Sequence, residues 1–191
     1  MSGLRPSYRA CLIAAAAGLL FGGADQYLGS RVALGPWASS LSGMSAPWLL
    51  LPFLCGLTQT SRRPAALAGL SVTVAALLGY FALTLSPLEG VAVASVPRAL
   101  VGLAQSNLPW IVGGLVGGPL FGLLGERWRT RRSWPAATAV AASFCLEPLA
   151  RLATGRLTPA VVVWLLEATL GCAMVAYVLA ASRLGAGSRK I

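Results

Sequence analysis

The chain has 191 residues, of which 57% are hydrophobic and 10% charged, with a mean hydropathy of +0.75. Soluble domains carry roughly 45–50% apolar and about 25% charged residues, so this composition excludes a soluble globular protein, a disordered tail and a fibrous repeat. The net charge of +10 does not indicate nucleic-acid binding, because the basic residues sit between apolar blocks and form no aromatic-interleaved stripe.

The apolar residues fall in six blocks near the ~20 residues that cross a bilayer. In chain order they run from about Ala10 to Tyr27, Ala46 to Thr60, Ala65 to Leu85, Gln105 to Gly125, Pro135 to Ala153 and Pro159 to Ser182. The expected fold is all-α: one transmembrane helical domain over residues 1–191, with no room for a soluble domain. The first block also resembles a signal peptide, with a basic start at Arg5 and an Ala-rich centre. It runs into Asp25, Gln26 and Tyr27 without a clean A-x-A site, which favours a retained span. Two connections are longer than turns. Gly29 to Met44 is rich in Gly, Ser and Pro and carries Trp37, while Leu88 to Leu103 is a moderately apolar stretch broken by Pro97 and Arg98. The second reads as re-entrant or interfacial, and both are expected to lie over the outer face as lids.

Orientation follows from where Arg and Lys fall. With a cytoplasmic N-terminus, the inside segments hold Arg5, Arg9, Arg62, Arg63, Arg127, Arg129, Arg131, Arg132, Arg183, Arg189 and Lys190. The outside segments hold only Arg31, Arg98, Arg151 and Arg156. This asymmetry predicts six spans with both termini cytoplasmic. The run from Glu126 to Arg132 reads as a basic inside loop. Fourteen of the fifteen basic residues are Arg, a bias that, with the abundant Ala and Gly, suggests a bacterial plasma membrane.

Five acids are present, and three of them converge on the outer half. Asp25 ends the first span and Glu147 lies in the outer part of the fifth. Glu167 sits about nine residues into the sixth span, roughly 13 Å deep at 1.5 Å per residue. Ionisable groups at such depth are costly and usually face a bundle interior. Their expected company is Gln26, Tyr27, Trp48, Gln105, Asn107, Trp110, Arg151 and Trp164, with Tyr80 nearby. Apolar walls with a few placed polar groups suit a small-molecule site. Two structural alternatives stand beside this. Glu147 and Arg151 are spaced for an i,i+4 ion pair, and Arg151 could instead neutralise Glu167. Pro47, Pro52 and Pro148 interrupt spans two and five, freeing backbone carbonyls that only protein or a cavity satisfies.

No His is present, which removes Ser-His and Cys-His nucleophiles, HExxH zinc sites and haem His ligands. There is no G-x-S-x-G elbow and no P-loop, so no enzyme is expected. Cys11, Cys55, Cys145 and Cys172 lie in apolar blocks without a CxxC spacing, so neither a metal nor another cofactor is expected.

Small residues recur four apart in two spans: Ala10, Ala14, Gly18 and Gly22 in the first, and Gly114, Gly118 and Gly122 in the fourth. Such stripes let another helix approach closely, whether within the monomer or from a partner. Four segments give the chain a resemblance to an uncharacterised family of small bacterial integral membrane proteins. They are Gly23 to Gly29, Ala46 to Phe53, Gly117 to Gly125 and Leu146 to Leu149. The architecture also resembles the substrate-binding S components of energy-coupling-factor vitamin transporters. That second resemblance implies an outward-facing solute site and a transmembrane coupling subunit with its ATPases, docked on the Ala10/Ala14/Gly18/Gly22 stripe. The expected function is capture of a small solute from outside. The alternative is a non-transporting scaffold or accessory subunit packed against another membrane protein.

Overall fold

The structure is a computed structural model that describes residues 6–89, 96–155 and 160–187. Arg5, Arg156, Arg189 and Lys190, which enter the charge asymmetry, lie outside that range, as does the middle of the second long connection. The described residues form eight α-helices and no strand: α1 (Pro6–Ser30), α2 (Pro36–Ser42), α3 (Ala46–Leu57), α4 (Arg62–Thr84), α5 (Val96–Ser106), α6 (Leu108–Arg131), α7 (Trp134–Ala153) and α8 (Val161–Gly187).

Five of these, α1, α4, α6, α7 and α8, are long and apolar enough to cross a membrane. The sixth expected span is broken. α2 and α3 qualify only as a pair, bent by 49° at the break between them. Most of Gly29 to Met44, expected as a loop, is thus helical: a 3₁₀ turn (Val32–Leu34) leads through Gly35, at φ 81°, into α2. A non-glycine residue rarely adopts that dihedral. The basic segment Glu126 to Arg132 is likewise no loop, because α6 continues through Arg131. Arg132 closes it in the left-handed region at φ 47°, donating its N–H to the Trp128 carbonyl at 3.1 Å. The opening of the expected fourth span belongs to α5, so Gln105 sits on that exposed amphipathic helix rather than on α6.

Glycine sets the packing of the inner helices. A Cβ on Gly18 would lie 2.1 Å from the Val72 carbonyl oxygen, and one on Gly22 would lie 1.8 Å from that of Ala76. From the other side, a Cβ on Gly79 would meet the Leu19 oxygen at 2.2 Å. Helices α1 and α4 therefore run parallel in backbone contact. The stripe expected to dock a partner is covered by α4 of the same chain, and Ala14 and Gly22 are buried there. Ala14, Gly18 and Gly22 are thus buried against α4, and Ala10 is half-buried at the start of the same row.

An adjoining face of α4 packs against α6 in the same way. Cβ atoms on Gly69 and Gly122 would strike the Gly118 and Ala65 carbonyl oxygens at 2.2 and 2.4 Å. α3 closes on α6 through Gly56 and Gly125. α7 and α8 form an antiparallel pair outside this group, and Phe144 and Val140 of α7 meet Ala46 and Phe53 of α3 in the apolar core.

Candidate functional site

The twelve residues of α3 span roughly 18 Å, too little for a ~30 Å hydrocarbon core. Its terminal N–H and C=O groups have no partners within the helix, and side chains from other helices supply them. At the N-terminus, the Glu147 carboxylate of α7 accepts the Ser45 N–H (2.7 and 2.9 Å) and the Ala46 N–H (2.8 Å). At the C-terminus, Arg129 of α6 donates to the Leu57 and Thr58 carbonyls at 3.1 and 2.6 Å. An anion at the start and a cation at the end both match the helix dipole.

Glu147 is held in turn by Arg151, one turn along α7, at 2.8 Å. The Arg151 guanidinium also donates to the Gly43 carbonyl and lies 4.5 Å from the centroid of the Trp164 ring. Of the two pairings open to Arg151, the structure adopts the one with Glu147. Glu167 is left behind this group with 2% of its surface exposed. Among the described residues, neither of its carboxylate oxygens has a hydrogen-bond partner.

On the other side of the α2–α3 break lies an open cavity of about 410 Å³. Asp25 of α1 enters it from one side, and the Ser42–Ser45 break, Trp48 and Leu49 form a second wall. α4 contributes Thr73, Leu77, Tyr80 and Phe81, and the start of α6 contributes Asn107, Trp110 and the backbone of Gly113, Gly114 and Gly118. The aromatic rings are ordered by edge-to-face contacts. Phe21 to Trp48 is 5.3 Å at 74°, Trp48 to Tyr80 is 6.3 Å at 67°, and Tyr80 to Phe81 is 5.8 Å at 79°. Asp25 has the Trp48 side chain as its hydrogen-bonding neighbour.

The expected site therefore separates into two. Asp25, Trp48, Asn107 and Trp110 share the cavity. Glu147, Arg151, Trp164 and Glu167 form a distinct cluster between α7, α8 and the break, and line no part of the cavity. Gln26, Tyr27 and Gln105 line neither: Tyr27 stacks under Arg31 at 4.7 Å, and Gln105 is exposed on α5. Phe81 and Thr73 are cavity residues that the sequence reading missed. Phe81 follows Tyr80 directly, and Thr73 looks onto the gap left by Gly114 and Gly118. Among the described residues, no three His, Cys, Asp or Glu side chains come together as a metal site.

This combination defines, over the described residues, an all-α chain with five or six helices fit to cross a membrane and an aromatic-lined cavity between α1, α3, α4 and α6. The chain belongs to a family of unknown function, DUF6518, whose model matches residues 1–188. No curated protein and no solved structure matches the chain.

Proposed function

We propose that the protein is a six-span integral membrane protein of the bacterial plasma membrane, with both termini cytoplasmic, that captures a small solute in the Asp25 cavity from the outer side. The observation that carries this reading is the position of the cavity. It lies where α1 and α4 end and α6 begins, opposite the end bearing Arg62, Arg63, Arg127, Arg129 and Arg131. Basic residues concentrate on the cytoplasmic side of membrane proteins, so the cavity opens outward. Its volume falls within the roughly 300–1,000 Å³ of small-molecule pockets, with apolar walls and few polar groups.

Docking of a coupling subunit through the α1 stripe forms no part of the reading, since α4 covers that face. Capture rests on the cavity alone. The test is a thermal-stability screen of the purified protein against vitamins, amines, neutral alcohols and carboxylates, because a ligand that binds the folded state raises its melting temperature. Gly113 borders the cavity, and a Cβ there meets nothing within 4 Å. Gly113→Leu is therefore expected to narrow the cavity and abolish stabilisation by any hit while leaving the protein folded. A hit that survives Gly113→Leu at parental affinity refutes this location.

A further inference from the structure

We infer that the cavity is built for an organic cation, an ammonium group carried on an apolar body, with Asp25 as its counter-charge and the rings of Trp48, Tyr80, Phe81 and Trp110 as its walls. This rests on the capture reading and names the class of solute. Three observations carry it.

The first is the sign of the charge. Basic residues outnumber acids fifteen to five in this chain, yet the cavity is lined by one acid and, among the described residues, by no base. An anion would meet a carboxylate there with nothing to offset it. The Arg151 guanidinium lies behind the wall, bonded to the Gly43 carbonyl and neutralised by Glu147.

The second is the state of Asp25. Among the described residues the one ion pair is Arg151 with Glu147. Asp25 has no cationic partner, only the Trp48 side chain. A carboxylate placed in apolar surroundings without a counter-ion is costly, and a bound ammonium would supply that counter-ion.

The third is the wall. Four aromatic residues converge on a cavity of about 410 Å³, and three of them are fixed by mutual edge-to-face contacts. Ring faces attract a cation through their quadrupole, most strongly where water is excluded. An uncharged apolar solute would need neither the carboxylate nor so many rings. A bare metal ion would need several oxygen ligands, and here one carboxylate is present.

The experiment uses the full-length protein in detergent and two quaternary ammonium probes, choline and benzyltrimethylammonium. 3,3-Dimethylbutan-1-ol serves as the uncharged counterpart of choline, and benzoate as the anion. Stabilisation and calorimetric affinity are read for each. The cations are expected to raise the melting temperature, and the alcohol and benzoate to leave it unchanged. Asp25→Asn should abolish the cation response, and Asp25→Glu should restore part of it. Trp110→Leu, at a residue 64% exposed and so safe for folding, should weaken cation binding about two- to fivefold, the scale of one exposed cation–π contact. If the alcohol stabilises as well as choline, or Asp25→Asn binds the cations with parental affinity, the cation assignment is overturned while capture stands. If no probe of any charge and no compound of the wider screen stabilises the protein, both readings fall.

Discussion

Glu147 and Asp25 lie on opposite sides of the α2–α3 break, and their surroundings differ in every respect. Glu147 is saturated: two backbone N–H groups and a guanidinium converge on its two oxygens. Asp25 faces open space and rings. An acid whose lone pairs are all used holds structure in place, whereas one left open toward a cavity is free to meet something that arrives. Sequence depth alone does not separate these roles, because both acids sit near the same ends of their helices. The partners do.

The contrast is broken most forcefully at Glu147. Glu147→Ala would strand the Ser45 and Ala46 N–H groups and break the ion pair with Arg151. It should lower stability by about 3 kcal/mol, because two backbone N–H groups lose their acceptor at roughly 1–3 kcal/mol each, while the ion pair itself is only partly buried. Denaturation in mixed detergent micelles measures this, and a loss below about 1 kcal/mol would show that the break is held by something other than the carboxylate. The next effect belongs to the helix that carries Asp25. Gly22→Leu drives a side chain into the Ala76 carbonyl, one turn before the acid. Parting α1 from α4 should cost about 2–3 kcal/mol and weaken binding of any cavity ligand as well. A Gly22→Leu protein as stable as the parent would mean that α1 does not pack on α4 in solution. The smallest effect is expected at Asp25 itself. Asp25→Asn removes a charge that has no ionic partner, so stability should stay within about 0.5 kcal/mol of the parent or rise. A drop like that of Glu147→Ala would make Asp25 a structural acid too, and the contrast would disappear.

Much of the fold was legible from residue pattern. The blocks beginning at Ala65 and Pro135 became α4 and α7 almost residue for residue, because long Ala- and Leu-rich runs have no alternative to a helix in apolar surroundings. Gly35, Pro36 and Trp37 misled, since Gly and Pro signal a loop but also open a short helix, as they do here. The site was half legible. Asp25, Trp48, Asn107 and Trp110 stand out as polar or aromatic residues at helix ends. Glu167 drew attention for its depth, yet it belongs with Glu147 and Arg151. Helical spacing places a residue along its own axis and does not say which neighbour its side chain meets. The cavity wall formed by Gly113, Gly114 and Gly118 was the least visible part, because it is made of side chains that are missing.

The two caps on α3 set an order for assembly. The groups that close its ends arrive late in the chain: Arg129 stands 72 residues beyond Leu57, and Glu147 stands 102 residues beyond Ser45. Until α6 and α7 have been made, the short helix has open N–H groups at one end and open carbonyls at the other, in surroundings where neither is tolerated. In the six-span arrangement proposed above, α3 is the second segment to leave the ribosome and among the last to settle. A chain cut after α4 is thus expected to hold α1 and α4 firmly in the bilayer while α3 stays accessible to a water-soluble thiol reagent at Cys55. Protection of Cys55 should appear only once α7 has been added.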